Sequence, residues 1–289
     1  MNFFDLHCDT AYRCYNEHLQ FTDNSLAVTP QKAFCFEKWH QCFAIFIKDG
    51  INNPFEYYKN TLKNFKLELT NKPGNLTPIF TVEGGLLIED KLSRVEILHK
   101  DGIRALTLTW NGENQIAGGA DTDVGLKEFG KQVIAELNRF DIAVDLSHLN
   151  KKSFYDVIEL SNKTIITHSC LESVNKHRRN IDNNQLKLLV QKGGIFGLCF
   201  YPVFLGEGDV YEQIYKNIFN ILDMGFEDSL SLGSDFDGAD MSKNFYDISA
   251  VPTLYEYLIL KRIDKKILNK IFFENAYNFF YKGKNNELR

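Results

Sequence analysis

The sequence predicts an α/β fold, a closed barrel of eight parallel strands of the TIM-like (β/α)8 type. Three observations lead there. Eight short β-branched or aromatic runs alternate with amphipathic helix patterns along the 289 residues. The runs are nearly continuous in apolar residues, as strands buried on both faces are. Ionisable residues collect where the runs end, which is where such a barrel builds its site. The alternation alone fits an open doubly wound sheet equally well, because any parallel pair needs a crossover connection. The count of eight and the placement of the polar residues favour closure. One barrel domain over 1–289 is expected.

In chain order, the strand runs fall at 2–7, 42–47, 78–83, 104–110, 142–148, 164–168, 194–200 and 229–235. Between them, helical periodicity covers 54–69, 90–100, 126–140, 151–160, 185–191 and 211–224. Two further helical stretches, 253–262 and 264–281, close the chain. No Pro/Ser-rich linker, charge block or low-complexity tract divides it.

Composition narrows the partners. A net charge of −5 argues against nucleic acid, since phosphate neutralisation needs a basic face. The densest basic stretch, 261–266, reads as a solvated helix junction. No leader pattern follows Met1, no apolar run is long enough to span a bilayer, and the last residues are polar. The six cysteines are scattered without a C-x-x-C pair and read as buried thiols. A cytoplasmic protein without membrane attachment is the expectation.

The strand ends carry the chemistry. The first ends in His7-Cys8-Asp9, the third in Glu83-Gly84-Gly85, the fifth in Asp145-Leu146-Ser147-His148 and the sixth in Thr167-His168-Ser169. The last ends in Gly233-Ser234-Asp235-Phe236-Asp237-Gly238. Alone, each reads blandly: a lone strand-end His is a hydrogen-bonded core residue, and a lone Glu a solvated turn. Together at one mouth they would be costly to bury without a cation. Residues two apart on a strand share a face, so His7 and Asp9 could meet one metal while Cys8 points away. Imidazole and carboxylate without thiolate suit zinc, but also manganese, iron or cobalt. Five such groups, His7, Asp9, Glu83, His148 and His168, exceed what one catalytic ion takes from protein, so two divalent ions are expected. Asp235 is the functional candidate of its loop and Asp237 a turn residue. One guanidinium of Arg178-Arg179 could clamp a substrate carboxylate. His18, His40, His99 and His177 read as structural or surface groups in loops and helices.

At this point the chain resembles the membrane (renal) dipeptidase family of zinc peptidases, among the amidohydrolase-like barrels. The resemblance rests on Asp5-Leu6-His7-Cys8-Asp9-Thr10, Val82-Glu83-Gly84-Gly85, Leu106-Thr107-Leu108-Thr109 and Asp145-Leu146-Ser147-His148. It continues through Thr167-His168-Ser169, Arg178-Arg179-Asn180 and the 233–238 loop, so it runs nearly end to end. It implies a metallo-dipeptidase hydrolysing small dipeptides, D-residue-containing ones included, with metal-activated water at two zinc ions. His7 and Asp9 would bind one ion, His148 and His168 the other, and Glu83 both. Asp235 would transfer the proton, and Arg179 would hold the substrate's C-terminal carboxylate. A homodimer is implied in the same way. One departure stands out: after Leu-Thr-Leu-Thr many members place a His, and this chain has Trp110. Its indole has one N–H donor and no charged form. Two rival readings stay open at this stage: another amidohydrolase reaction on a C–N or C–O bond, and a non-catalytic binding protein on the same scaffold. A Schiff-base enzyme is disfavoured because no predicted strand ends in Lys.

Overall fold

A computed structural model describes residues 1–282. Eight parallel strands close in sequence order into a barrel, β1 pairing with β8 through Asp5 and Leu232. The strands are β1 (Asn2–Cys8), β2 (Lys38–Phe46), β3 (Leu76–Glu83), β4 (Ile103–Thr107), β5 (Ala143–Asp145), β6 (Thr164–Ser169), β7 (Ile195–Leu198) and β8 (Leu230–Leu232). The helices are α1 (Thr10–Asn16), α2 (Pro54–Glu68), α3 (Ser93–Asp101), α4 (Glu128–Arg139), α5 (Lys151–Leu160) and α6 (Asn183–Gln191). They continue with α7 (Pro202–Leu205), α8 (Val210–Asp223), α9 (Val251–Leu260), α10 (Lys265–Asn269) and α11 (Asn275–Tyr281).

Eight strands and eight predicted runs coincide in number and place, with shorter strands at β4 and β7 and the shortest at β5 and β8. There the chain leaves the sheet early: His148 and Asp235, expected on strand ends, lie in the following loops with φ of 67° and 66°. A residue in that left-handed region cannot continue a strand. The predicted helix 264–281 is in fact α10 and α11 joined by a π-helical turn, Lys270–Glu274. The short helices α1 and α7 carry no long apolar period and were not anticipated. His40 is a correction of another kind: it lies inside β2 and is buried, not in a loop or helix.

Two apolar layers hold the barrel. The larger lies between strands and helices, with Phe3, Trp39, Phe43 and Leu106 from the outer faces of the strands. The smaller fills the barrel's interior with Phe4, Leu6, Cys42, Ile79, Ala105, Ala143, Ile165 and Ile195, plugged by Phe273, Ala276 and Phe280 of the C-terminal helices. All six cysteines are free; five are buried, while Cys35 is partly exposed, contrary to expectation. Among the described residues no helix is long and apolar enough to cross a membrane.

Candidate metal centre

Strict alternation would not build this site. In β1, Phe4 and Leu6 face the barrel interior, so His7 should face outward. Between Asp5 and Cys8 the pairing with β2 slips, three steps on β1 matching two from Gln41 to Phe43 on its neighbour. This bulge turns His7 inward as well and leaves Cys8 in the outer core. β6 repeats the device: between Ile166 and Ser169 the register with β7 slips in the same sense, and His168 joins Thr167 on the inner side. Glu83 needs no bulge, being two and four residues beyond Thr81 and the interior Ile79. Asp9 lies just past the strand as the residue preceding α1.

These four converge with His148 and Asp235. His7 Nε2 lies 3.2 Å from Asp9 Oδ2, 3.5 Å from Glu83 Oε2 and 3.8 Å from Asp235 Oδ1. The other Glu83 oxygen, Oε1, lies 2.7 Å from His148 Nε2 and 3.8 Å from His168 Nε2. The two imidazole Nε2 atoms are 3.0 Å apart, and the His7 and His168 rings are 3.9 Å apart. All six residues are buried. Close approach extends to the backbone: a Cβ on Gly238 would lie 2.1 Å from Asp9 Oδ2, and Gly84, at φ +97°, lets the chain pass the Ile47 carbonyl.

The donor set fits divalent cations. Three overlapping groups each bring their ligand atoms within 4.8 Å of one another: His7, Asp9 and Glu83; Glu83, His148 and His168; and His7, His168 and Asp235. Glu83 faces one histidine set with each oxygen. Among the described residues, Asp9 Oδ1 is buried with no hydrogen-bond partner, an acceptor that a cation would satisfy. Protein groups alone leave the titration frustrated. Burial pulls His7 down, but Glu83 and Asp9 outweigh it and hold its pKa well above the usual imidazole range. Burial, then Arg179, lowers His148 to about 4, and burial with His7 and Arg179 lowers His168 further below its usual range. Burial would raise Glu83, yet His148 and His7 hold it well below the ordinary carboxyl value. Burial and Glu83 raise Asp9 to about 6, and burial raises Asp235 to about 8, His7 opposing and Asp9 and Glu83 reinforcing.

The site floors a cavity of about 770 Å³. Tyr12, Phe46 and Trp110 form one aromatic wall, with ring centroids 5.3 and 5.2 Å apart in turn. Tyr201, Phe204 and His177 line another part. Arg179 is buried, its Nη2 3.0 Å from His168 Nε2 and its Nε without a hydrogen-bond partner, whereas Arg178 is half-exposed and paired with Asp121 at 2.5 Å. Sequence reasoning missed two groups. Asn111 Oδ1 accepts from His148 Nδ1 at 2.9 Å, in a loop with no motif to flag it. Asp237 is more than a turn residue: it accepts from Thr10 Oγ1 at 2.6 Å, Ala27 N at 2.7 Å and Arg13 Nη1 at 3.2 Å, tying α1 and the 26–28 segment to the rim.

Fold and site together define a metal-dependent hydrolase, with its chemistry at the carboxyl ends of the barrel strands. The chain belongs to the membrane dipeptidase family, peptidase family M19, whose description matches residues 51–286, and so to the hydrolases of peptide bonds. His7 and Asp9 precede the matched stretch and join the site by geometry. Over 193 residues, 63% of this chain and 46% of the relative, it is 28% identical to an uncharacterized dipeptidase of Schizosaccharomyces pombe. Its fold matches a metallo peptidase from Rhodobacter sphaeroides, liganded with a phosphinate mimic of the dipeptide L-Ala-D-Ala, at a TM-score of 0.89 and 23% identity over 97% of this chain and 98% of that one. It also matches a family M19 metallo peptidase, dipeptidase AC, at a TM-score of 0.90 and 24% identity, with the same coverage.

Proposed function

We propose that this protein is a dipeptidase with a two-ion centre, most simply zinc, held by His7 and Asp9 on one side, His148 and His168 on the other, and Glu83 between them. The observation that carries the reading is Glu83, with one carboxylate oxygen toward each histidine set. The dipeptide mimic bound by the Rhodobacter sphaeroides relative supports a dipeptide substrate, D-configured second residues included. Divalent ions at these ligands supply Lewis acidity, acidifying water and polarising a peptide carbonyl.

The chain's own groups supply the rest. Asp235, with Oδ1 3.8 Å from His7 Nε2, is placed as a carboxylate to take a proton from the attacking water and deliver it to the leaving amine. Cations held by His7, Asp9 and Glu83 beside it would keep that carboxylate ionised and ready to accept the proton. Arg179 pairs with the C-terminal carboxylate of the substrate, which would also satisfy its orphaned Nε. A third residue would displace that carboxylate, so the clamp selects dipeptide length. Trp110 lines the aromatic wall of the cavity. Its single donor contributes surface and one hydrogen bond, leaving charge stabilisation to the centre. The barrel acts as one catalytic domain, in the cytoplasm, and the family suggests a homodimer.

Metal analysis of purified protein, combined with a panel of L,L and L,D dipeptides, tests the reading. Two ions per chain and turnover of free dipeptides are expected. A metal-loaded protein that cleaves lactones or cyclic amides but no dipeptide would overturn the substrate assignment, and a single ion per chain the centre.

A further inference from the structure

One buried acid beneath the site has no part in the mechanism above. Asp145 ends β5, is 2% exposed, and receives hydrogen bonds from Thr107 Oγ1 at 2.7 Å, Thr167 Oγ1 at 2.6 Å, Ser147 N at 3.0 Å and Thr167 N at 3.1 Å. A carboxylate with these four donors only accepts. The single hydroxyl proton of Thr167 is therefore committed to Asp145.

That commitment propagates. Thr167 Oγ1 also lies 3.0 Å from His168 Nδ1. With its proton already given away, the oxygen can only accept there, so Nδ1 carries the hydrogen. The second lone pair of Thr167 Oγ1 faces Ser147 Oγ at 3.2 Å, which itself accepts from the Thr167 and His168 amides at 3.0 and 3.3 Å. The hydroxyl's one donor and both its acceptor positions are thus used. The far side of the imidazole gives the same answer independently. Arg179 Nη2, which only donates, lies 3.0 Å from His168 Nε2, so Nε2 presents a lone pair.

We infer that Asp145, acting through the Thr167 hydroxyl, is a positioning residue that fixes His168 as the Nδ1–H tautomer and keeps Nε2 unprotonated, as a ligand for a divalent ion must be. The inference rests on the reading of His168 as a metal ligand. Partners in this outer position tune ligands strongly, their loss costing about 10–100-fold in metal affinity. Asn at 145 would keep the shape but offer N–H toward Thr167 Oγ1. The hydroxyl proton would then turn to His168 Nδ1, favouring Nε2–H, which blocks ligation.

The test uses the full chain, stripped of metal and titrated with Zn²⁺ against a chromophoric chelator. Asp145→Asn and Thr167→Val each weaken zinc binding about 10–100-fold, while Thr167→Ser, which keeps the hydroxyl, stays within about threefold of wild type. In ¹⁵N-histidine-labelled, metal-free wild type, His168 carries its proton on Nδ1, and in Asp145→Asn on Nε2. His168→Ala separates the two levels. If it leaves zinc uptake unchanged, the ligand reading falls and the positioning role with it. If it weakens uptake while Asp145→Asn and Thr167→Val bind as wild type, the positioning role alone is overturned. Should the substituted proteins fail to fold, the wild-type spectrum decides, a proton on Nε2 refuting the inference.

Discussion

At the floor of the barrel, the inward positions of seven strands hold Phe4, Cys42, Ile79, Ala105, Ala143, Ile165 and Ile195, sealed by Phe273 and Phe280. Further along the same strands, at the mouth, they hold Glu83, Thr107, Asp145 and Thr167, with His7 and His168 added by bulges. The floor is apolar, with one register slip where Ile103 to Leu106 of β4 passes Phe80 to Val82 of β3; the mouth is ionisable, and its two slips turn histidines inward. The difference teaches where each end's free energy goes. The floor gains stability by closing space. The mouth gives stability up, burying carboxylates and imidazoles that pair only in part with one another.

Four experiments would break or sharpen that contrast. The largest effect is expected at the mouth. Asp235→Asn should lower kcat about a thousandfold with metal content unchanged, as read by steady-state kinetics beside metal analysis. Melting temperature should hold or rise, since an unfavourably buried acid is gone. At the floor, Phe280→Ala opens a cavity under the barrel and should cost about 3 kcal/mol in denaturant unfolding. The folded fraction should keep its kcat/KM; a comparable loss of activity would mean the two ends are coupled.

A smaller effect follows Arg179→Ala, which should raise KM about 10–100-fold for free dipeptides and leave amidated ones little changed. Equal effects on both would remove the clamp from the mechanism. The smallest is a pH effect at the floor. His40, packed against Phe4 and Phe273 at 5.1 Å each, is lowered to about 4 by burial and by Lys38. Its folded pKa lies below the unfolded value of about 6.5, so the unfolded chain takes up the proton first as pH falls. Stability is therefore lost from about pH 6.5 down to about 4, by on the order of 1 kcal/mol after allowing for solvent screening. His40→Phe should flatten that part of the stability–pH curve; an unchanged slope would show the imidazole is not its source.

The floor was the more legible end. Apolar runs of the right length announced all eight strands, and the helices 151–160 and 54–69 were bounded closely because caps and periodicity are local signals. Every ligand candidate at the mouth was also visible, since polar residues at the ends of apolar runs stand out. His40 was misplaced because a polar residue near the start of a strand looks like a loop. Asn111 and the real duty of Asp237 were invisible, each depending on a partner distant in sequence.

The sequence by itself determined the number and order of the β-α units and the membership of the mouth cluster, because periodicity and composition are properties of short windows. Only the tertiary structure decided that His7 and His168 face inward, that His148 and Asp235 reach the site from left-handed turns, and that Thr167 links Asp145 to His168. A bulge exists only relative to the register of the next strand, and a hydrogen-bond relay only between residues that closure brings together. Neither leaves a mark on any one stretch of chain.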